Sequence, residues 1–188
     1  MKHIVVLAGL IISVALVRAQ APASSSSLDN SPLDMSYYPV DYPVLKIQDK
    51  VNEPLIARVV YSRPQKRGRK LFGELVSYGQ VWRLGANEAT EIEFFRDVKI
   101  DGKTLKKGRY TLYALVNEDN WTLIFNKETD TWGAFRYNAS KDVLRATVPV
   151  EKQSGITEAF SIAFQKAGKG ASLVFNWDDI LVKLPITW

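Results

Sequence analysis

The chain has 188 residues, with 25 lysine and arginine side chains against 20 aspartate and glutamate side chains, and a formal net charge of +5. This mild excess of positive charge gives no reason to expect nucleic acid as a partner. Cysteine is absent, and the only histidine is His3, within the N-terminal segment that has the pattern of a signal peptide. A mature chain without His and Cys excludes a Ser-His-Asp triad, a Cys-His nucleophile and a zinc site built on His or Cys.

The first residues have the pattern of a secretory signal peptide. Lys2 supplies a positive charge, residues 4–17 are mostly apolar, and Val17 and Ala19 are small residues at the positions that a signal peptidase reads. The apolar run is shorter than the about 20 residues that a membrane-spanning helix needs. We therefore expect residues 1–19 to be removed. The mature protein is expected in the periplasm or outside the cell, without a membrane span.

Residues 20–35 contain the stretch "APASSSSLDNSPLD", which is rich in Ser, Ala and Pro. Such a segment buries too little apolar surface to fold, so we expect a flexible leader. The remaining residues, 36–188, have the length of one domain, which is large enough to hold a hydrophobic core.

The domain sequence predicts a series of short strands. In "TEIEFFRDV", Ile92, Phe94 and Val98 alternate with Glu91 and Glu93, which is the period of a half-buried strand. "KIDGKTL" then contains Asp-Gly, a strong hairpin signal. Similar alternation recurs about every ten residues to the end of the chain, which is typical of all-β domains. We predict a mostly β, single-domain antiparallel β-sandwich, jelly-roll-like, with one short helix at Lys70–Val76.

The alternating runs also predict which side chains form the core. They are the apolar members of each run: Phe94, Leu123, Phe125, Phe160, Ile162, Phe164, Val182 and Leu184. In the predicted helix, Leu71, Phe72 and Leu75 are expected to face inward.

Two segments are candidates for a ligand site. "VWRLGANEAT" supplies Trp82, Arg83, Asn87 and Glu88, and "TWGAFRYN" places Trp132, Phe135 and Tyr137 around a glycine. Two interpretations stay open for both segments. They are either structural, with Trp82 buried and Arg83 paired to Glu88, or they form a pocket. The ligand-binding candidates are Trp82, Arg83, Asn87, Glu88, Trp132 and Tyr137; no metal and no cofactor is predicted.

A second kind of chemistry is carried by the carboxylates Glu91 and Glu93. Alternate residues on one face of a strand lie about 6.6 Å apart, within the range that paired glycosidase carboxylates use. An outward-facing solvated pair is the more common explanation for such residues.

Three separated blocks resemble the bacterial domain-of-unknown-function family numbered 2911. They are "RGRKLFGELVSYGQVWRLGANEATEIEF", "VKIDGKTLKKGRYTLY" and "WTLIFNKETDTWGAFRYNASKDVLRATV". The resemblance runs from about Ser36 to Ile186 and implies an exported, β-rich bacterial domain. It implies no particular activity, catalytic residue or ligand. It includes Trp82, Arg83, Gly85, Asn87, Glu88, Trp132, Gly133, Tyr137 and Asp142.

These observations predict an exported bacterial protein that acts as a non-catalytic binding or envelope-associated module. The partner is expected to be a small molecule, a glycan or an envelope protein. The alternative is a carboxylate-dependent hydrolase that acts on glycans. The inference of binding rests on fold-level analogy, so the geometry of the candidate site is needed to distinguish a binding module from a hydrolase.

Overall fold

The structure is a computed structural model that describes residues 29–188. The predicted signal peptide and residues 20–28 of the predicted leader lie outside the described residues. Within residues 29–188 the chain forms ten strands, one α-helix and one 3-10 helix. Their bounds are β1 Leu33–Tyr38, α1 Tyr42–Ile47, β2 Ala57–Ser62, β3 Val81–Trp82, β4 Glu91–Phe94, β5 Val98–Ile100, β6 Lys103–Leu105, β7 Gly108–Val116, β8 Asn120–Asn126, the 3-10 helix Ala139–Lys141, β9 Asp142–Ala167 and β10 Gly170–Ile186.

One antiparallel sheet dominates the fold. Its strands follow the order β1-β2-β4-β7-β8-β9-β10, and β3 pairs with β7. The far end of β9 returns to the first strands, where the backbone N–H of Phe164 donates to Ser36 Oγ at 3.1 Å and that of Phe160 donates to the Pro64 carbonyl at 2.9 Å. The sheet is therefore nearly closed on itself. The prediction of a mostly β, antiparallel single domain with one short helix is confirmed.

The core lies on the inner face of this sheet. All eight side chains that the alternating runs predicted to face inward are buried, as alternation along the strands requires. Near one end of the core, Trp82, Trp121, Phe160 and Trp177 form an aromatic cluster, with ring centroids 5.2 to 5.9 Å apart around Trp82. Aromatic rings bury more apolar area than other side chains, so this cluster is a main source of stability.

The helix predicted at Lys70–Val76 is wrong. The segment instead forms turns joined by a bridge between Phe72 and Val76. Gly73, at φ 87°, breaks the helical course, which leaves Leu71 buried and Leu75 exposed. The helix of the structure lies at Tyr42–Ile47, with a proline in its first turn, a position that favours helix initiation.

The predicted hairpin agrees with the structure, whereas the predicted leader differs from it in part. Asp101 and Gly102 form the hairpin between β5 and β6, with φ values of 50° and 70°, as the Asp-Gly signal predicts. The leader predicted over residues 20–35, in contrast, overlaps the first strand, because β1 begins at Leu33 and pairs with β2. Backbone pairing with Ser62 extends order into a stretch whose composition is that of a linker.

Within residues 29–188, no helix is long and apolar enough to cross a membrane.

Candidate functional site

Trp82 belongs to the core and not to a surface site. It lies on the inward face of β3, is 9 % exposed, and stacks on Trp177 at an interplanar angle of 12°. Its indole N–H donates to the carbonyl of Gly85 at 3.2 Å, which closes the turn after the strand. The expectation that Trp82 is largely buried is confirmed, and burial places its ring out of reach of a ligand.

The predicted ion pair between Arg83 and Glu88 is wrong. Across residues 29–188 no salt bridge involves Arg83, and its Nε is buried without a hydrogen-bond partner. Burial of the side chain lowers the pKa of the Arg83 guanidinium. Glu88 is exposed, whereas Arg83 is partly buried, so the two side chains lie in different environments. Asn87, just before Glu88, adopts a left-handed backbone conformation with φ 55°.

The two candidate segments meet each other in the structure. Glu88 and Trp132 form an antiparallel bridge. On either side of it, the backbone N–H of Ala89 donates to the Thr131 carbonyl and that of Gly133 donates to the Asn87 carbonyl, both at 3.0 Å. The structure therefore brings Asn87, Glu88 and Trp132 together, as a pocket interpretation requires.

The connection between β8 and β9, residues 127–141, is held firmly at its base. Asn126 is 1 % exposed, and its amide group donates to the Asn138 carbonyl at 3.0 Å and to Asp142 Oδ1 at 2.7 Å. Its side-chain oxygen accepts the backbone N–H of Glu128 at 2.9 Å. A single buried amide thus fixes both ends of this connection, which we call the β8–β9 loop.

Tyr137 holds the middle of the β8–β9 loop against the sheet. Its ring packs edge-on against Tyr113 with centroids 5.2 Å apart, and its hydroxyl donates to Asp142 Oδ2 at 2.6 Å. Burial, followed by the hydrogen bond to Asp142, raises the pKa of Tyr137 to about 12. Arg145 donates to both the tyrosine and the aspartate. The geometry gives Tyr137 a positioning role within the loop.

Two aromatic side chains of the β8–β9 loop project into solvent. Trp132 is 62 % exposed and Phe135 is 85 % exposed. Gly133 lies between them at φ 68°, and a Cβ there would lie 2.7 Å from the Phe135 ring, so the turn that presents both rings requires glycine. Phe135 is not among the six predicted site residues. Its signal in the sequence, an aromatic residue within four positions of Gly133, is the same as that of Tyr137, which packs against Tyr113 instead of facing solvent.

These rings border a concavity of ≈ 560 Å³ under the β8–β9 loop, and a second of ≈ 270 Å³ lies beside it on the outer face of the sheet. The two share Asp130 and Thr131 as a common wall. The floor of the second is apolar, formed by Leu33, Val60 and Ala89. We call the two concavities together the outer groove. Its charged lining comprises Arg58, Glu88, Glu91, Glu93, Arg109, Glu128, Asp130, Arg136 and Lys141, and Thr129, Thr131 and Asn138 add uncharged polar groups.

Most charged side chains of the outer groove are paired with each other. Arg58 bonds Glu93 at 2.6 Å, and Arg109 bonds both Glu91 at 3.2 Å and Asp130 at 2.6 Å. The charge of Glu91, with the hydrogen bond to Asp130, raises the pKa of Arg109. Lys141 and Glu128 form a further pair.

This pairing bears on the hydrolase alternative. A glycosidase needs one carboxyl group to deliver a proton and a second to act as base or nucleophile. Glu91 and Glu93 are each bonded to an arginine instead, and Glu91 also accepts the backbone N–H of Asp130 at 2.6 Å. Both carboxylates serve the surface ion-pair network. In the part of the chain that the structure describes, no group of three or more His, Cys, Asp or Glu residues is placed to hold a metal ion.

Comparison with known proteins identifies the family of the chain. A family profile described as "Protein of unknown function (DUF2911)" matches residues 43–186. The chain belongs to this family. The predicted resemblance is thereby confirmed, and the match covers both candidate segments, residues 81–90 and 131–138. No curated protein and no solved structure matches the chain.

Proposed function

We propose that this member of the DUF2911 family is an exported binding module that takes its ligand in the outer groove. The observation that carries the proposal is the exposure of Trp132 and Phe135 on a loop whose base is fixed. Large aromatic side chains held rigidly in solvent are typical of binding surfaces, because they offer contact area at a small entropic cost.

The shape of the outer groove supports the same function. It combines an apolar floor with a ring of fixed polar groups, which is the usual composition of a ligand site. Most of its charged side chains are held by mutual ion pairs, so a ligand would bind without first ordering them. The ion pairs of Glu91 and Glu93 favour binding over carboxylate-dependent hydrolysis.

Export is the second part of the proposal, and the sequence supports it. Lys2 followed by an apolar run and the small residues Val17 and Ala19 predicts cleavage by a signal peptidase. We place the mature protein in the periplasm or outside the cell, where an envelope glycan, a small molecule or an envelope protein is available to the groove. Intact-mass measurement of the exported protein tests this part, with a mature N-terminus at Gln20 expected. A product that retains residues 1–19 contradicts export with cleavage.

Retention on isolated envelope fragments of the source bacterium tests the groove. Wild-type protein, expressed from the full chain, is compared with the double variant Trp132→Ala/Phe135→Ala. We expect the variant to lose retention while its melting temperature stays unchanged, because both rings are exposed. Ile156→Ala is the matched control, since Ile156 is 61 % exposed on β9 and does not line the outer groove. Equal retention of the double variant and the control rules out the outer groove as the binding site.

A further inference from the structure

We propose that the ligand of the outer groove is an uncharged oligosaccharide that extends through both concavities. This inference rests on the proposed binding function and names the chemistry of the ligand. It follows from the charge balance of the groove, from its aromatic side chains, from the pairing of the strands beneath it, and from the arrangement of its two concavities.

The charges of the outer groove compensate each other. Its lining contains five carboxylates and four cationic side chains, and most of them form the ion pairs described above. Within residues 29–188, Glu88 and Arg136 are the lining charges without an ion pair, and they have opposite signs. A polyanion is attracted by an excess of cationic groups, and this groove has none. A polycation likewise meets no excess of free carboxylates.

Paired charges remain good partners for hydroxyl groups. A guanidinium has five N–H donors and a carboxylate accepts at two oxygens, so one bidentate or single contact leaves sites free on both. Arg109 fixes Glu91 and Asp130 on either side of it, and Arg58 fixes Glu93 on the neighbouring strand. Donors and acceptors therefore alternate across neighbouring strands, in the order Arg58, Glu93 and Arg109, in a fixed arrangement. Adjacent sugar hydroxyls, each both donor and acceptor, match this arrangement without a change of protein conformation.

The aromatic side chains supply the apolar part of the site. The C–H faces of a sugar ring pack on the face of an indole or phenyl ring, and Trp132 and Phe135 supply exposed rings of these kinds to the lining of the groove. A nucleobase also stacks on aromatic rings, but single-stranded nucleic acids bind where aromatics lie along a cationic track. The compensated charges of the outer groove argue against that partner.

An extended peptide is disfavoured by the position of the groove on the sheet. Peptides that bind as an added strand need an open sheet edge with unpaired backbone groups. The floor strand β4 pairs with β2 on one side and with β7 on the other over Glu91–Phe94. Its backbone hydrogen bonds are therefore used within the sheet, and only side chains face the groove.

The length of the ligand follows from the two concavities. Glu88 and Trp132, joined by their bridge, contribute one side chain to each concavity, and Asp130 with Thr131 forms the wall between them. A single sugar ring occupies one side of this wall. A chain of several rings contacts both sides, so the affinity must increase with chain length.

Isothermal titration with defined sugars tests the inference. Wild-type protein is titrated with the neutral hexasaccharides of cellulose, chitin and starch, with the corresponding disaccharides, and with a hexamer of galacturonic acid. We expect at least one neutral hexasaccharide to bind about tenfold more tightly than its disaccharide, a difference of about 1.4 kcal/mol. Because the ligand is uncharged, its Kd should change less than about twofold between about 0.05 and 0.3 M salt.

Variants assign the binding to the groove. Trp132→Ala is expected to weaken binding of that hexasaccharide about tenfold or more, as the loss of an aromatic anchor does. Ile156→Ala should leave it unchanged, because Ile156 lies outside the groove. Equal affinity of wild-type protein and Trp132→Ala for the sugar overturns the inference.

Two further outcomes separate this inference from the proposed function. If no neutral hexasaccharide binds, or the galacturonate hexamer binds more tightly and with a strong salt dependence, the neutral ligand class is overturned. The proposed function then stands if envelope retention still depends on Trp132 and Phe135. If that retention is also independent of both rings, the proposed function fails together with the inference.

Discussion

The two candidate segments, residues 81–90 and 131–138, meet through residues 87–89 and 131–133. Each carries a tryptophan close to a glycine, yet the two tryptophans have opposite environments. Trp82 occupies an inward position of a strand and is enclosed by other aromatic rings, whereas Trp132 lies within the β8–β9 loop and is 62 % exposed. The residue types are the same, so the difference arises from position: Trp82 faces inward from β3, whereas Trp132 lies in the loop between β8 and β9. A tryptophan on the inner face of a nearly closed sheet is a core residue, and one carried outside that face is available to a ligand.

The largest expected effect separates these two tryptophans by stability. Trp82→Ala should lower the free energy of unfolding by about 3–5 kcal/mol, the usual cost of removing a buried aromatic ring. Trp132→Ala should change it by no more than about 0.5 kcal/mol. Urea denaturation followed by circular dichroism measures both, with Trp82→Phe as an intermediate control that keeps one ring. Similar losses for both alanine variants contradict the division into a core tryptophan and a ligand tryptophan.

A smaller effect tests what holds the exposed rings in place. Asn126→Ala removes the three hydrogen bonds at the base of the β8–β9 loop and should cost about 1–3 kcal/mol, because buried partners are left unsatisfied. Hydrogen exchange in residues 127–141 should become faster. Asn117→Ala is the control, since its side chain makes one long contact of 3.4 Å to Asn120 in an ordinary hairpin. Unchanged exchange in Asn126→Ala shows that the loop is fixed by other contacts.

The pH dependence of stability sharpens the contrast between the two loop aromatics Tyr137 and Phe135. The folded-state pKa of Tyr137 is raised to about 12 from an ordinary value of about 10. A raised pKa stabilises the protonated form in the folded state, so its contribution is complete below pH about 10 and is lost as the pH rises toward about 12. Tyr137→Phe should flatten the decline of the melting temperature in this interval. An identical decline in wild-type protein and Tyr137→Phe contradicts the assignment.

The smallest expected effects concern Arg83 and Glu88. Without an ion pair between them, Glu88→Ala should change the free energy of unfolding by less than about 0.5 kcal/mol, as for other exposed residues. Arg83→Met keeps the apolar stem and removes an unpaired, half-buried charge, so stability should be unchanged or slightly higher. The double variant should be additive within about 0.5 kcal/mol. Strong non-additivity in thermal denaturation contradicts the absence of an interaction between Arg83 and Glu88.

Period-two alternation was enough to predict the fold class and the core from sequence. Phe94, Phe125 and Phe160 are buried because each occupies an inward-facing position of its strand, and the alternation that marks these positions is visible in the sequence. The Asp-Gly hairpin was predictable for a similar reason, since few residues tolerate positive φ at both turn positions. The position of the short helix was not predictable in this way. Lys70–Val76 has helical spacing of its apolar residues, but Gly73 adopts φ 87°, and the fold determines this value.

Predictions for the candidate site failed where they depended on side-chain direction outside strands. Asn87 adopts φ 55°, Arg83 is partly buried and Glu88 is exposed, and no pattern of residue types indicates this. In the same way Tyr137 and Phe135 are equivalent in sequence, but Tyr137 finds Tyr113 and Asp142 while Phe135 finds solvent. The meeting of residues 87–89 with 131–133 is a long-range contact that alternation alone does not predict.

The return of β9 to the first strands has a consequence for the order of folding. The hydrogen bond between Phe164 and Ser36 joins positions 128 residues apart, and contacts of such long range form late because loop closure costs entropy before they stabilise the chain. A nascent chain therefore cannot close its sheet until nearly all of it has been synthesised. For the exported protein we propose, this delay keeps the polypeptide open long enough to be threaded through a membrane, and closure of the sheet then becomes a step of folding at its destination.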